Sequence, residues 1–253
     1  MSSLKTVVVL SGGLDSTTLL YHLIDGGHEV KALSINYQQR HSKELGFAEA
    51  TCDQLKVEHR LVELQGLTSV LDGNALTNAE IDVPTGGYQD GTIQVTTVPN
   101  RNMIFLSVAI GWAATIGFNG VAFGAHGGEH TNYPDCKPPF VEALNAAALV
   151  CDWQPISVLA PFINWNKTQI VARGLELNVP FEITWSCYNG GETPCGECST
   201  CVDRRTAFDF CGITELSLTI AIFRGSLSSN RSARISTEQS GTAKFCNVQT
   251  HKQ

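Results

Sequence analysis

Apolar and polar positions along the chain switch repeatedly between the strand and helix periods. Residues 6–10 form a β-branched, apolar run of the kind found in strands covered on both faces. Residues 16–24 then carry apolar side chains at helical spacing, and Gly26 and Gly27 end that helix. The same reading gives a strand at 29–36, a helix at 42–55 with Leu45, Ala48 and Cys52 on one face, and a strand at 59–64. Residues 66–98 are rich in turn formers and predict an irregular excursion on the surface near the site. Beyond it the pattern resumes with a helix at 102–116, a strand at 120–124, a loop at 125–137, a helix at 138–150, a strand at 156–159 and a helix at 166–177. After Trp185 a cysteine-rich loop leads into a short helix at 200–211. Strand–helix alternation implies an α/β fold with a doubly wound, mostly parallel sheet, whose ligands bind beyond the carboxyl ends of the strands. The expected division is an α/β domain over 1–184, a cysteine region over 185–213 and a tail over 214–253.

Composition narrows the class. Of 253 residues, 43% are hydrophobic and 16% charged, and the mean hydropathy is -0.01, so the chain should be a soluble globular protein. The uncharged stretch 103–125 is long enough to span a bilayer, but Gly117 and Gly120 interrupt it with turn chemistry, so a buried helix followed by a core strand is expected and no membrane partner. Seventeen basic and 24 acidic residues give a net charge of -7 with no basic run, which speaks against direct binding of nucleic acid. Residues 225–253 carry a local charge of +3, and Ser, Thr, Gly, Asn or Gln fill 16 of their 29 positions, so a loose tail is expected. The apolar run near the N-terminus is too short for a signal peptide, and with an odd count of nine cysteines the expected compartment is the cytoplasm.

Two constellations carry chemistry. Ser11, Gly12, Gly13, Leu14, Asp15 and Ser16 lie between the first strand and the first helix. Glycines let the backbone approach a phosphate, the helix N-terminus offers unpaired N–H groups, and Ser11 and Ser16 add hydroxyls. Asp15 would repel bare phosphate, so its place makes sense if it holds a Mg²⁺ ion that bridges phosphate oxygens. The competing reading is a tight turn with a helix-capping Asp. The loop has neither the GxxxxGK[ST] nor the GxGxxG pattern, which argues against γ-phosphoryl transfer and against a dehydrogenase. The second constellation is Cys187, Cys195, Cys198 and Cys201, spaced C-x7-C-x2-C-x2-C, with Gly190, Gly191 and Gly196 supplying turns. Four thiolates close a tetrahedral Zn²⁺ shell, which makes the site structural, although ligand type alone also suits an iron–sulfur cluster.

SGGLDS resembles the signature of the PP-loop ATP pyrophosphatases, which cleave ATP between the α and β phosphates and pass AMP to an acceptor oxygen. With INYQQRH at 35–41, VPNRN at 98–102, NYPDC at 132–136, WNKTQI at 165–170, TWSCYNG at 184–190, CGECSTC at 195–201 and Arg204-Arg205, the chain is similar to the 7-cyano-7-deazaguanine synthase family of queuosine biosynthesis over about residues 5–213. The resemblance implies a Rossmann-like PP-loop fold, a homodimer, and an ATP-dependent ligase acting on 7-carboxy-7-deazaguanine and ammonia with Mg²⁺ and Zn²⁺. It implies that Asp15, Lys167, Arg101 and Arg40 serve catalysis, with the three basic residues meeting phosphates or a carboxylate. Asn102, Tyr133 and Asp135 are expected to face the substrate. Asp135 either accepts from the amino-pyrimidinone edge of the base or is a turn residue after Pro134, and Tyr133 either stacks on the base or packs. His41 is either an acid–base group or a hydrogen-bonding prop. Three departures stand out: Gln38 where the family usually has Gly, Glu129 where it usually has Asp, and a chain beyond Ile213 unlike the family ending. Rival readings are a related enzyme acting on a tRNA base or protein terminus, and a non-enzymatic nucleotide-sensing zinc protein.

Overall fold

The computed structural model describes residues 4–88, 93–127 and 133–214; the expectations placed on Glu129 and on the tail at 225–253 fall outside them. Strands β1 (Lys5–Val9), β2 (Glu29–Asn36), β3 (His59–Glu63), β4 (Gly120–Ala122) and β5 (Ser157–Leu159) form one sheet in the order β3-β2-β1-β4-β5, with every pair parallel. Six α-helices connect or follow them among the described residues: α1 (Leu14–Asp25), α2 (Glu44–Leu55), α3 (Arg101–Thr115), α4 (Pro138–Ala148), α5 (Lys167–Glu176) and α6 (Ser199–Phe210). Each element end lies within two residues of the range read from the sequence.

The strand β1 is central, and its side chains alternate between two apolar layers. Val7, paired with Val121 across β4, joins Leu33, Leu106, Ala109 and Ile156 beneath α3 and α4. Val8, paired with Ala32, joins Leu19, Leu20, Ala48, Ile170 and Phe208 beneath α1, α2, α5 and α6. Both faces being covered is why residues 6–10 show no polar alternation, and each fully buried Val or Leu contributes roughly 1.5–3 kcal/mol by leaving water. The uncharged stretch 103–125 is α3, then a turn with Gly117 at φ 70°, then β4, and no helix among the described residues is long and apolar enough to cross a membrane.

The excursion at 66–98 differs from the surface segment expected. Asn74, Ala75 and Leu76 are buried, and the Asn74 side chain bonds the Leu71 carbonyl at 2.8 Å and the Leu76 N–H at 3.0 Å, replacing regular structure as the partner of these backbone groups. The segment is pinned from both sides: the Arg40 N–H donates to Leu76 O at 2.8 Å, and the Gly86 N–H donates to Glu197 O at 2.7 Å beside a Thr85–Cys198 bridge.

The chain runs outward from β1 to β3 and returns to β4 on the other side of β1. That reversal opens a crevice beyond the carboxyl ends of β1 and β4.

Candidate active site

The loop after β1 is held by its own serines. Ser11 Oγ accepts the Gly13 N–H at 3.2 Å, and Ser16 Oγ accepts the Ser11 N–H at 3.2 Å and donates to Gly13 O at 3.3 Å. Gly12 is obligatory: its φ is 82°, and a Cβ there would stand 2.1 Å from Glu44 O at the start of α2. Its carbonyl accepts the Trp185 N–H at 2.9 Å, tying the loop to the cysteine region. Gly13 caps α1 without a side-chain bond, which leaves the first-turn N–H groups directed at the crevice.

Asp15, one residue into α1, meets Lys167, the first residue of α5, with Oδ2 and Nζ 2.6 Å apart. Lys167 also lies 3.6 Å from Asp203 Oδ2, and His126 Nε2 stands 3.9 Å from Asp15 Oδ2. Burial opposes ionisation of Asp15, but Lys167 and then His126 outweigh it and hold the carboxyl below its ordinary range. Burial likewise opposes the charge on Lys167, and Asp15 and Asp203 outweigh it, so its pKa rises. The pair is therefore ionic. Asp15 Oδ1 is buried and has no hydrogen-bond partner. A bare carboxylate oxygen beside a phosphate-type loop fits a Mg²⁺ ion, which binds through one or two carboxylates plus substrate oxygens.

These groups line a cavity of about 530 Å³. Its other end is aromatic and polar, with Tyr37, Phe105, Tyr133 and Tyr188 beside Arg101, Asn102, His41 and Glu44. Burial raises the Tyr37, Tyr88 and Tyr188 phenols, so they remain neutral donors. Arg101 donates to Tyr37 Oη at 3.5 Å, and its guanidinium, whose ordinary pKa lies far above neutral, stays charged despite burial. Glu44 Oε1 accepts from Gln39 Nε2 at 3.3 Å and lies 3.4 Å from His41 Nε2. Burial pushes the Glu44 carboxyl up to about 8, and burial with the Arg101 charge pushes His41 down to about 3, so at neutral pH this contact joins largely uncharged groups.

The remaining expected residues sort by where they point. Tyr133 lines the cavity, with its hydroxyl 3.1 Å from Thr96 Oγ1 and its ring edge-on to Tyr88. Asp135 lies behind the wall, where Oδ2 accepts the Asn102 N–H at 3.4 Å in the first turn of α3. Arg40 turns toward the excursion and donates to Asn78 O at 3.0 Å and Ile81 O at 2.9 Å. Gln38 has φ 63°, the conformation in which glycine is favoured, and its exposed side chain accepts from Thr68 Oγ1 at 3.1 Å, away from the cavity.

The four cysteine sulfurs lie within 4.8 Å of one another and none is in a disulfide. The N–H groups of Cys195 and Cys198 point at Cys187 Sγ and Cys195 Sγ at 3.3 Å, as they would toward thiolates. Cys195 and Cys201 sulfurs are 4.0 Å apart, near the roughly 3.8 Å that a tetrahedral ion with 2.3 Å bonds to sulfur requires. The residues interleaved with these cysteines, Ser186, Tyr188 and Thr200, face the cavity.

The family model described as "Queuosine biosynthesis protein QueC" matches residues 5–212. The chain belongs to that family. Curated members named 7-cyano-7-deazaguanine synthase include those of Hahella chejuensis, 46% identical over 205 residues covering 81% of this chain and 88% of the relative. That of Marinobacter nauticus is 45% identical, covering 83% and 95%, and that of Methanoregula boonei 44% identical, covering 84% and 97%. The family resemblance drawn from the motifs is thus borne out, and the match ends where the tail departs.

Several cavity residues escaped sequence reasoning. Glu44 follows His41 by one helical turn and was hidden by an apparently ordinary helix start. Thr200, Asp203, Arg204 and Ala207 share one face of α6, a periodicity that marks a wall once the helix is placed. His126 stands four residues past β4, where the strand-end rule alone would have singled it out.

Proposed function

We propose that this chain is an ATP-dependent ligase that converts 7-carboxy-7-deazaguanine and ammonia to 7-cyano-7-deazaguanine. The observation that carries the reading is family membership across residues 5–212, combined with a phosphate-type loop and the Asp15–Lys167 pair opening into one cavity with an aromatic far end. It favours this reading over another acceptor or a non-enzymatic sensor.

A carboxylate is a poor electrophile because its leaving group would be oxide, so adenylation supplies AMP instead, and ammonia then gives the amide. Removing the amide oxygen needs a second activation by the same logic, with a second ATP in the same place. The loop from Ser11 to Ser16 would hold phosphate oxygens through its N–H groups, and Lys167 would neutralise departing pyrophosphate. Asp15 Oδ1 is the atom left to hold Mg²⁺, which when bound supplies charge neutralisation at the phosphates. Arg101, Asn102 and Tyr133 would receive the acceptor at the far end. Asp135 serves by holding the start of α3, and Arg40 by fastening the excursion that brings Tyr88 to the cavity. The work is positioning and electrostatics, with no covalent nucleophile.

The four thiolates suit structural Zn²⁺ in a closed shell. The resemblance also supports a homodimer, and the cysteine pattern a cytoplasmic location. The test is to incubate purified protein with Mg·ATP, an ammonium salt and 7-carboxy-7-deazaguanine and weigh the products. The nitrile is expected, with the amide when ATP is limiting; ATP consumption without either would point to another acceptor.

A further inference from the structure

We propose that Glu44 reads the amino-pyrimidinone edge of the acceptor base, with Arg101 beside it taking the ring carbonyl oxygen. The inference rests on the acceptor being a 7-deazaguanine and names the residue that distinguishes it from other bicyclic carboxylates.

The edge of such a base presents a carbonyl oxygen, then a ring N–H, then an exocyclic amine. Its natural partner is a carboxylate facing the two N–H donors, with a cation next to it. Three carboxyl groups line the cavity among the described residues: Asp15, Asp203 and Glu44. Asp15 and Asp203 flank Lys167 at 2.6 and 3.6 Å and belong to the phosphate end. Glu44 remains. Both of its contacts, with Gln39 and His41, fall on Oε1, so Oε2 is available to a ligand. Its side chain is 12% exposed; burial raises its pKa, and the Gln39 bond and then the Arg101 charge only partly oppose this. Tyr37 lies against this pair, where burial and then Arg101 and Glu44 govern its hydroxyl, and Tyr37 and Phe105 stand with ring centres 5.3 Å apart. A flat heterocycle is thereby offered an aromatic wall in a lining that also holds a donor, Arg101, and an acceptor, Glu44.

A buried carboxyl with an open oxygen and one modest amide bond is under-satisfied in the empty protein, and burial holds its pKa near 8. Two N–H donors from a base would supply the bonds that favour the carboxylate. Glu44 is a lining residue of the cavity, and Oε2 lies outside its contacts to Gln39 and His41.

The experiment compares 7-carboxy-7-deazaguanine with its analogue lacking the 2-amino group, in binding and turnover, using wild type and Glu44→Gln. Wild type should prefer the amino compound by about 10- to 100-fold, the scale of a buried hydrogen bond to a charged group. Glu44→Gln presents an amide donor to one of the two N–H groups and should lose most of that preference while keeping its affinity for Mg·ATP. Equal affinity of wild type for the two compounds, or a preference that survives in the Gln variant, overturns the assignment. Should the Gln variant fail to fold, Glu44→Asp retracts the carboxylate by one methylene and should still narrow the preference; an unchanged preference there counts equally against it. Wild type that neither binds nor converts 7-carboxy-7-deazaguanine would instead overturn the proposed function, whereas conversion without discrimination at the amine would overturn only the role of Glu44.

Discussion

Asp15 and Lys167 lie 152 positions apart in the chain and 2.6 Å apart in space. Each was legible because its motif sits at the carboxyl end of a strand, but their pairing was not, since sequence spacing says nothing of which loops converge. Asp15→Asn keeps the shape and removes the charge that faces Lys167 and that the proposed Mg²⁺ would use. It should lower turnover at least about 10²-fold, the scale of a preorganised electrostatic contact, while Asp203 still balances Lys167 and the fold persists. Near-normal AMP formation by this variant at saturating Mg²⁺ would sink the role. Glu44 and His41 illustrate what sequence withholds: their pKa values depend on burial that only the folded chain creates. Because the Glu44 pKa rises from its ordinary 4.5 to about 8, the unfolded chain releases that proton within this window and the fold does not, so folding loses stability as pH climbs through it. The His41 pKa falls from 6.5 to about 3, so between those values the unfolded chain gains a proton that the fold refuses, and stability drops as pH falls. Glu44→Gln should therefore gain on wild type as pH rises from 5 to 8, by at most about 1.4 kcal/mol per pH unit. Denaturant melts at several pH values would show it, and a gap between the two proteins that ignores pH would contradict the burial argument.

At the scale of elements, the regular pieces were legible wherever one period ran long enough. The α5 start shows why: Asn166 accepts the Gln169 N–H at 2.9 Å while Gln169 Oε1 accepts the Asn166 N–H at 2.8 Å, a capping box written in WNKTQI itself. The excursion was misjudged because Ala75, Leu76, Val83 and Ile93 are too scattered to show a period, although they are buried. The cysteine region holds one side of that segment, through Thr85–Cys198 and Gly86–Glu197, as Arg40 holds the other, and the same region grips the phosphate-type loop through the Trp185 N–H and Gly12 O. The cysteine cluster thus sits where it can clamp two walls of the cavity. Cys198→Ser, which removes one thiolate and leaves the backbone bridge to Thr85 in place, should lower the melting temperature and the zinc content, and with them the affinity for substrates. One equivalent of zinc per chain is expected from metal analysis. Iron with a visible absorption band would replace the assignment with a cluster, and a metal-free chain of unchanged stability would remove it.

For the whole molecule, the order β3-β2-β1-β4-β5 decides what meets what. The loop after β1, the start of α2 after β2, His126 after β4 and Lys167 after β5 all open on one side of the sheet, so phosphate and acceptor ends share one cavity. Under the proposed function, a cavity with loop N–H donors and Lys167 at one end, and no GK[ST] sequence, would retain pyrophosphate while an acceptor oxygen attacks the α-phosphorus. The products should be AMP and pyrophosphate, with two ATP consumed per nitrile. The alternative, attack at the γ-phosphorus through an acyl phosphate, would give ADP and phosphate. Both carboxylate oxygens leave the substrate on the way to a nitrile, one at each activation, so their destination reports the chemistry. With 7-carboxy-7-deazaguanine labelled by ¹⁸O in both carboxylate oxygens, each turnover should yield two molecules of AMP carrying one label apiece and unlabelled pyrophosphate. Label recovered in inorganic phosphate would refute adenylation, and a single labelled AMP per turnover would mean that the reaction halts at the amide.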